Sequence, residues 1–366
     1  MQEDSLIGAQ LGNYTILAPL GQGGMARVYR AHQENLDREV AIKVLPPWYA
    51  ADRNFVERFK LEARLVARLS HPNIVTVHDA SEYHGHLYIV MQLVDGGTLK
   101  QRLDSVREQG KMMEVPEANR TFQQIANALS YAHEHGIIHR DIKPVNVLLD
   151  RSGRPILSDF GIAKALEGTK ELTRPGAGVG TPEYMSPEQC KGEPVDGRAD
   201  IYALGVMLFE ALTGRTPFIG DNYPALAHSH IYEAPPNPRL FNPKISLEVS
   251  QVILTALNKK PEMRYQRAND MALALERASN AVGAGGITPE RLPEFDTQPV
   301  RPFAQGAINR APTTPLFACP TCQHPNKPEV FYCIRCGSPL NRCRTCGKQN
   351  RARDRFCTQC GQSLKT

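Results

Sequence analysis

Cysteine is concentrated at one end of this 366-residue chain, because eight of its nine cysteines lie between Cys319 and Cys360. They form Cys-x2-Cys pairs in two copies that begin 24 residues apart: Cys319, Cys322, Cys333 and Cys336, then Cys343, Cys346, Cys357 and Cys360. Four thiolates at this spacing can close a tetrahedron around Zn²⁺, and each copy is too short to hold a hydrophobic core without metal. We therefore predict two structural zinc ions, one per copy. Four disulfides are the alternative.

The remainder divides into a long body and a connecting segment. Residues 14–279 alternate apolar runs with turn residues, whereas residues 280–317 are rich in proline and glycine and lack periodicity. We expect a domain at 14–279, a flexible linker at 280–317 and the cysteine-rich region at 318–366. Residues 281–366 hold 12 Lys and Arg against 5 Asp and Glu, a balance of +7, so of the net charge of +5 the first 280 residues carry −2.

Strands precede helices in the body. Strands are predicted at 14–20, 26–31, 40–45, 74–80 and 87–93. Helices are predicted at 53–69, from Pro116 to Gly136, and at 201–212, 249–257 and 268–278. The helix at 201–212 is almost entirely apolar, which predicts burial on every side. This order indicates an α+β fold with two segregated lobes.

Nothing in the sequence predicts an association with a membrane. No run approaches the roughly 20 apolar residues that cross a bilayer. The start, MQEDSLIGAQ, has two acids and lacks the basic-then-apolar design of a secretory signal. We therefore expect a cytoplasmic protein, and this expectation also disfavours disulfides in the cysteine-rich region.

A glycine-rich turn separates the first two predicted strands, with the sequence Gly21-Gln22-Gly23-Gly24-Met25-Ala26-Arg27-Val28. Glycines in a hairpin let the backbone lie close over phosphates and donate N–H groups to them. The turn has neither a following helix nor a Gly-Lys-Ser/Thr ending, which argues against a dinucleotide-binding turn and a Walker loop. Such hairpins also arise for steric reasons, so this motif needs support from others.

Lys43 and Glu62 supply that support. Lys43 ends the apolar strand Val40-Ala41-Ile42-Lys43, and Glu62 lies on the amphipathic helix that follows. An ion pair from Glu62 would hold the Lys43 ammonium against nucleotide phosphates. The alternative is that each is an ordinary solvated side chain.

The strongest motif joins His139-Arg140-Asp141-Ile142-Lys143-Pro144-Val145-Asn146 to Ser158-Asp159-Phe160-Gly161 across a short hairpin. One aspartate can accept a hydroxyl proton while the lysine and the asparagine stabilise phosphate and metal. The second aspartate can bind Mg²⁺, which prefers oxygen ligands. Together with the glycine turn and Lys43, these residues indicate phosphoryl transfer.

At these motifs the chain resembles the eukaryotic-like Ser/Thr protein kinases, specifically the bacterial Hanks-type branch, over about residues 14–279. The resemblance implies a two-lobed kinase fold with an antiparallel N-lobe sheet, a helix αC and a helical C-lobe. It implies transfer of the ATP γ-phosphoryl group to Ser and Thr hydroxyls of proteins, with Mg²⁺ or Mn²⁺. Asp141 would be the catalytic base, Lys143 would steady the phosphoryl group, and Asn146 and Asp159 would hold the metal.

The resemblance also implies a nucleotide site and several supporting contacts. The nucleotide-binding residues would be Leu20, Gly21, Gln22, Gly23, Gly24, Val28, Ala41, Lys43, Glu62, Met91 as gatekeeper, Gln92 and Val94 of the hinge, Leu148 and Asp159. Glu188 would pair with Arg264, and Asp200 would brace the catalytic loop. Val66, Val77, His139 and Phe160 would form an apolar spine between the lobes.

The alternative function is a nucleotide-binding adaptor in which catalysis is vestigial. Ala26 replaces the usual third glycine of the turn, and Gln92 replaces a hinge glutamate. Neither change removes a catalytic group. Intact Lys43, Asp141 and Asp159 therefore favour an active enzyme.

Regulation by phosphorylation is implied by Arg140, which resembles a buried arginine that waits for a phosphate on the activation segment. Thr173 is the favoured site and Thr169 the second, because Thr181 is needed for docking of the acceptor. The expected reaction is autophosphorylation in trans, with a second copy of the chain as partner. The alternative is that both threonines are simply solvated.

The cysteine-rich region resembles the double zinc ribbon. Residues 318–366 carry 9 Lys and Arg against 2 Asp and Glu. Two Zn²⁺ on eight thiolates would lower this balance to about +3. Such a mild charge favours docking of a protein partner or recruitment of a substrate, and contact with nucleic acid stays open.

Overall fold

The computed structural model describes residues 6–22, 26–160 and 182–284, together with short stretches and single residues between 317 and 364. Its contacts divide the chain into two units, residues 1–288 and residues 289–366. The first unit contains every element up to residue 284. Among the described residues, we find no helix with the length and apolar character needed to traverse a bilayer.

The N-terminal part of the first unit is a six-stranded antiparallel sheet with the order β1-β2-β3-β4-β6-β5. Its strands are β1 (Gln10–Leu11), β2 (Tyr14–Gln22), β3 (Arg27–Gln33), β4 (Arg38–Val44), β5 (Val77–Tyr83) and β6 (His86–Gln92). The five predicted strands are all present. The strand predicted to begin at Ile74 begins at Val77, because Ile74 instead forms an isolated bridge with Leu157.

Helix α1 (Arg53–Val66) packs beside this sheet. Asp52 caps it by accepting hydrogen bonds from the main-chain N–H groups of Asn54 (2.9 Å) and Phe55 (3.3 Å). Phe55, Phe59, Ala63 and Val66 are buried at helical spacing. The apolar pattern continues to buried Leu69, but the helix itself ends three residues earlier, at Val66. Burial of one more apolar residue therefore does not extend the helix.

Helices form the rest of the first unit, apart from one short hairpin. They are α2 (Leu99–Glu108), α3 (Val115–Glu134), α4 (Pro187–Lys191), α5 (Gly197–Thr213), α6 (Tyr223–Tyr232), α7 (Leu247–Ala256) and α8 (Ala268–Ala284). The hairpin consists of β7 (Val147–Leu149) and β8 (Pro155–Leu157). The two-lobed α+β fold is thus confirmed, whereas α2, α4 and α6 were not predicted.

Helix α5 is the centre of the helical part. As predicted, it is buried on every side, from Ala199 to Leu212. Gly205 brings it close to α7, because a Cβ atom added there would lie 2.8 Å from the Cβ atom of Ala256. The main apolar cluster extends from this helix to α3, α7 and α8 and reaches Val66 of α1. This cluster gives the residues around the hairpin a rigid support.

The described residues of the second unit include a two-stranded pair, β9 (Phe317–Ala318) with β10 (Pro325–Asn326). The side chain of buried Asn326 donates a hydrogen bond to the carbonyl oxygen of Phe317 (3.4 Å). Cys319 follows β9 and is also buried. These contacts place one predicted zinc ligand at the end of a small hairpin.

Candidate active site

Three polar side chains meet in the loop between α3 and β7. The Nδ2 atom of Asn146 donates to the main-chain oxygen of Asp141 (2.8 Å) and to its Oδ2 atom (3.1 Å). The Nζ atom of Lys143 lies 3.0 Å from the same Oδ2 atom. Since both contacts of Asn146 are acceptors, its amide nitrogen faces Asp141 and its oxygen is available to another partner. Asp141, Lys143 and Asn146 are therefore brought together in this loop.

Asp200, on α5, holds the backbone of this loop. Its Oδ2 and Oδ1 atoms accept hydrogen bonds from the main-chain N–H groups of His139 (2.8 Å) and Arg140 (2.8 Å). Arg140 has a φ angle of +63°, a left-handed conformation that is unfavourable for a residue with a side chain. The buried carboxylate stabilises this conformation, which confirms the predicted role of Asp200 as a brace.

His139 links the loop to the hairpin and to the N-terminal part. Its ring is fully buried, its Nε2 atom lies 2.9 Å from the carbonyl oxygen of Ser158, and its centroid lies 4.6 Å from that of Phe160. Phe160 and Val66 belong to the main apolar cluster, and Val77 packs against it. These contacts agree with the spine of side chains predicted between the lobes.

Lys43 extends from β4 toward Asp159, and its Nζ atom lies 2.7 Å from the Oδ1 atom of that residue. Asp159 follows β8 and has a φ angle of +57°. The predicted ion pair between Lys43 and Glu62 is wrong for this structure, because the ammonium is paired with Asp159. Sequence spacing could not reveal this choice of partner, since Asp159 lies 116 residues beyond Lys43.

Glu62 has a different environment from the one predicted. Burial raises the pKa of Glu62 to about 7, against the opposing effect of the positive charges of Arg140 and Arg58. A carboxyl group with this pKa is only partly ionised at neutral pH. Its charge state therefore depends on which cation lies nearest to it.

Most of the apolar residues predicted to line the adenine slot form one cluster. Ala41 is opposite Met91 in the register of β4 and β6, and Val28, Val94 and Leu148 pack against the same cluster. Leu20 lies on β2 but is 50% exposed and outside this cluster.

The hinge and the glycine turn are described only in part. The N–H group of Gln92 donates to the carbonyl oxygen of Thr76 (2.9 Å), so it is used within the lobe. Gly21 lies in β2 opposite Val28. Gly23, Gly24 and the side chain of Gln22 lie outside the described residues.

A buried ion pair anchors α4 behind the catalytic loop. The guanidinium of Arg264 donates to both carboxylate oxygens of Glu188, at 2.7 and 2.8 Å, and neither side chain is exposed by more than 7%. Burial acts to raise the pKa of Glu188, but the hydrogen bonds and the charge of Arg264 outweigh it, and the pKa lies below its usual range. This pair was predicted and is confirmed.

Other contacts at the site were not found by sequence reasoning. The Nε2 atom of His133 lies 2.8 Å from Oδ2 of Asp200, and the side chain of Gln189 donates to the carbonyl oxygen of Arg140 (2.9 Å). Gly96 allows the hinge to approach β7, since a Cβ atom there would lie 2.4 Å from the carbonyl oxygen of Leu149. The available signals were the Gly-Gly sequence after the hinge and the spacing of Ser186 and Gln189, which form a capping box at the start of α4, whereas His133 has no motif around it.

The residues of the predicted phosphorylation switch are only partly described. Thr169, Thr173 and Thr181 lie outside the described residues. Arg140 is exposed, not buried as predicted. Its main chain is held by Asp200, whereas its guanidinium faces solvent near Glu62.

A second candidate site lies in the cysteine-rich region. The sulfur atoms of Cys343, Cys346 and Cys360 all lie within 4.8 Å of one another, and those of Cys343 and Cys360 are 3.6 Å apart. Tetrahedral zinc with Zn–S bonds of 2.3 Å separates its sulfur ligands by about 3.8 Å, so these residues fit the metal. The fourth predicted ligand of this copy, Cys357, lies outside the described residues, as do three ligands of the other copy: Cys322, Cys333 and Cys336.

Comparison with family models gives two matches. Residues 14–274 match the model of the protein kinase domain, which is more than half of the chain. Residues 319–361 match the model of the double zinc ribbon.

Similar curated proteins come from several bacteria. A probable serine/threonine-protein kinase of Streptomyces coelicolor is 43% identical over 305 residues, which are 78% of this chain and 44% of that protein. The serine/threonine-protein kinase PrkC of Bacillus subtilis is 42% identical over 277 residues, 75% of this chain and 42% of that protein. The chain thus spans less than half the length of these relatives.

Solved structures agree with these matches. The crystal structure of the PknI kinase domain of Mycobacterium tuberculosis has a TM-score of 0.60 and 32% sequence identity to this chain. The match covers 74% of this chain and 98% of that domain. The likeness therefore includes nearly the whole of the solved domain.

Proposed function

Because the chain belongs to the protein kinase family, we propose that it is a serine/threonine-protein kinase, which transfers the γ-phosphoryl group of ATP to Ser and Thr hydroxyls of proteins. One observation carries this proposal. The carboxylate of Asp141 is held 3.0 Å from the ammonium of Lys143 and 3.1 Å from the amide of Asn146, on a loop braced by buried Asp200. A carboxylate fixed in this way can accept the proton of an incoming hydroxyl group.

The surrounding side chains can organise the charge of the phosphates. The Lys143 ammonium lies beside Asp141, where it can steady the transferred phosphoryl group, and Lys43 reaches into the site from β4. Asn146 and Asp159 offer the amide and carboxylate oxygens that Mg²⁺ prefers, and these residues would hold it. The metal, when bound, would neutralise negative charge on the phosphate oxygens.

The experiment that tests this proposal is transfer of radiolabelled phosphate to casein by the wild type and by Asp141→Asn. The amide cannot take the proton, so we expect a loss of about 10²- to 10⁴-fold in transfer, which is the usual contribution of a general base. Binding of ATP, followed by calorimetry, should persist in the variant.

The matched control is Asp37→Asn, the same change at a side chain that is 95% exposed and lies at a left-handed position that asparagine tolerates. It should transfer phosphate at the wild-type rate. Equal transfer by Asp141→Asn and the wild type would refute the assignment of the base. Binding of ATP without any transfer by the wild type would favour the adaptor.

The proposal includes activation by autophosphorylation in trans at Thr173, with Thr169 as the second site. Exposed Arg140 supports it, because an accessible guanidinium can bind a phosphate on a neighbouring segment through charge-assisted hydrogen bonds. Mass spectrometry of active protein should find the phosphate. An unmodified segment in fully active protein, or full activity in Thr173→Ala, would contradict this switch.

For the cysteine-rich region, the proposal is two structural Zn²⁺ and recruitment of protein partners or substrates. The spacing of the three sulfur atoms supports zinc, and the balance of about +3 after metal binding is mild for a nucleic-acid site. Removal of residues 289–366 should raise the KM for protein acceptors and leave the KM for short peptides unchanged. A salt-sensitive shift of labelled RNA or DNA by the full chain would instead favour nucleic acid.

A further inference from the structure

A half-buried lysine lies behind the segment that precedes α4. Lys259 follows α7, and its Nζ atom donates to the main-chain oxygens of Ser229 (3.0 Å) and His230 (2.7 Å), in the last turn of α6. The carbonyl oxygen of Ser229 also accepts a hydrogen bond from the N–H group of Glu233 (3.0 Å), whereas that of His230 is among the last carbonyl groups of the helix, which lack partners within it and carry the negative end of its dipole. The ammonium therefore contacts α6 at the negative end of the helix dipole.

Aromatic rings surround the same ammonium. The Nζ atom lies 4.1 Å from the ring centroid of Phe218 and 6.0 Å from that of Tyr202, on α5. A cation at such distances is attracted by the negative face of a ring. The hydroxyl of Tyr202 lies 2.9 Å from Nδ1 of His230, so Lys259 and this contact together connect α6 to α5.

The main chain of Lys259 connects to a second anchor. Its carbonyl oxygen accepts a hydrogen bond from the guanidinium of Arg264 (3.0 Å), the residue that is paired with Glu188 of α4. Helix α6, in turn, packs against α4 and against the turn at residues 182–184. One residue thus connects α6 with the ion pair that holds α4.

We propose that Lys259 is a positioning residue for the protein acceptor, which acts by holding α6 against α4 and against residues 182–184. This inference rests on the proposed kinase function, because residues 182–184 directly follow Thr181, which the resemblance assigns to docking of the acceptor. The contacts that the described residues make with Lys259 involve none of the groups assigned to nucleotide or phosphoryl transfer. Its loss should therefore weaken the use of a protein acceptor and leave ATP untouched.

The charge of Lys259 is adjustable in the physiological range. Burial lowers its pKa to about 8; Glu233 and the Cys190 thiol oppose this shift, and the positive charge of Arg264 adds to it. His230 faces the ammonium as a neutral ring, because burial, assisted by the charge of Lys259, lowers its pKa to about 3. Burial also raises the pKa of Tyr202, which stays protonated. The ammonium should thus be lost as the pH rises through about 8.

The titration of Lys259 distinguishes its proposed positioning role from an effect on the stability of the fold. An unfolded lysine keeps its proton up to a pH of about 10.4. Between about pH 8 and about pH 10.4 the unfolded state therefore binds up to one more proton at Lys259 than the folded state does, and this group makes the fold more stable as the pH rises through that interval. The hold on α6 weakens over the same interval, since a neutral amine binds carbonyl groups less strongly. A rise in the acceptor KM without a loss of stability is the expected signature.

The test measures phosphorylation of casein by the full chain, with Lys259→Met, Lys259→Arg and Lys260→Met. The neighbouring Lys260 is exposed, so its variant removes the same charge at a matched position. Lys259→Met should raise the KM for casein about five- to tenfold, the effect of losing hydrogen bonds from a charged donor, with the KM for ATP unchanged. Lys260→Met should match the wild type.

Comparison of Lys259→Arg with the wild type gives a second readout, which does not require the methionine variant to fold. Arginine keeps its charge, so its KM for casein should stay flat between pH 7 and pH 9, where that of the wild type rises. An unchanged KM in folded Lys259→Met, or parallel pH profiles for the wild type and Lys259→Arg, would overturn the inference. Absence of any transfer by the wild type would refute the proposed function itself.

Discussion

The two units of the chain are stabilised by different means. The first unit buries large side chains such as Phe122, Tyr202 and Phe209 completely, around a central helix with no exposed face. In the second unit, the described residues bring three sulfur atoms within 4.8 Å of one another, where they could hold a metal ion. The first unit is therefore held by apolar contacts spread over many residues, whereas the proposed zinc would hold the second through bonds to a few sulfur atoms.

Because of this difference, a single substitution should change the free energy of folding more in the second unit than in the first. In the first unit, many buried residues share the stabilising free energy, so one substitution removes a fraction of it. In the second unit, the proposed zinc would supply most of the free energy of folding, so the loss of one ligand can remove most of that free energy.

The sharpest test of this comparison is removal of metal. Structural zinc contributes about 10–16 kcal/mol in small domains. Chelation, or Cys343→Ser, should therefore abolish protection against amide hydrogen exchange over residues 317–364. Protection around Phe122 should persist, because its burial involves no metal.

The matched control is Cys190→Ser, which removes the one thiol outside the two copies. Its burial raises the pKa of Cys190 to about 11, and a thiol in this state is a poor metal ligand. The zinc content should be unchanged in this control. Full zinc content and full protection in Cys343→Ser would contradict the comparison.

Within the first unit, the largest effect should come from Arg264→Met. This change leaves the Glu188 carboxylate buried without its cation, which costs about 3–5 kcal/mol in the free energy of unfolding. Urea denaturation measures this loss, and Glu188→Leu in the same protein should restore part of it. A loss below about 1 kcal/mol would mean that the pair behaves as a surface contact.

The pH dependence of the same pair has a defined sign. The folded pKa of Glu188 is lowered. Its stabilising contribution is therefore present above the unfolded pKa of about 4.3, and it is lost as the pH falls through the lower folded pKa. Arg264→Met should lack this part of the acid dependence.

A smaller loss is expected from Gly205→Ala, which tests how tightly α5 and α7 are packed. The added Cβ atom would lie 2.8 Å from that of Ala256 and 3.5 Å from the side chain of Leu257. Overpacking of this kind costs about 1–3 kcal/mol. In the double variant, Ala256→Gly should relieve the clash and restore stability. An equal loss of stability in Gly205→Ala and in the double variant would show that the contact with Ala256 is not the cause.

The smallest effect should come from Arg102→Gln. Arg102 contacts Glu117 in an ion pair like that of Arg264 and Glu188, but its side chain is 46% exposed and that of Glu117 35%. Exposed pairs contribute about 0–1 kcal/mol, and salt reduces this further. Thermal unfolding should show a small difference in stability between Arg102→Gln and the wild type at low salt, and this difference should vanish at high salt. A loss of unfolding free energy as large as that of Arg264→Met would show that the contribution of an ion pair does not depend on its burial.

Prediction from sequence succeeded where a local pattern determines the structure. The strands, α1, α3, α5 and the motif around Asp141 all have regular spacing or a characteristic order of residues. Helix α2 has such a signal too, since Leu99, Leu103 and Val106 are buried at helical spacing after the capping residue Thr98. Its ten residues span fewer than three turns, so this pattern is shorter and weaker than those of α3 and α5.

The missed contacts have a common physical cause, because each joins partners that are distant in the sequence and that only the folded chain brings together. Lys43 could pair with Glu62 or with Asp159, and only the folded arrangement decides for Asp159. The ring of His133 and the side chain of Gln189 reach the catalytic loop from α3 and α4. No spacing in the sequence reports such contacts, because each depends on how whole elements pack.

The bonds that Asp200 accepts from the loop have a consequence for motion. The main-chain N–H groups of His139 and Arg140 both donate hydrogen bonds to the carboxylate of Asp200, which is 2% exposed and lies on the most buried of the described helices. To open the loop, α5 would have to separate from the helices packed against it. The backbone around Asp141 is therefore as rigid as the buried helix that holds it. Fluctuations at the surface then reach the carboxylate of Asp141 only through its side-chain partners, and the periphery can rearrange while the proposed proton acceptor stays fixed in place.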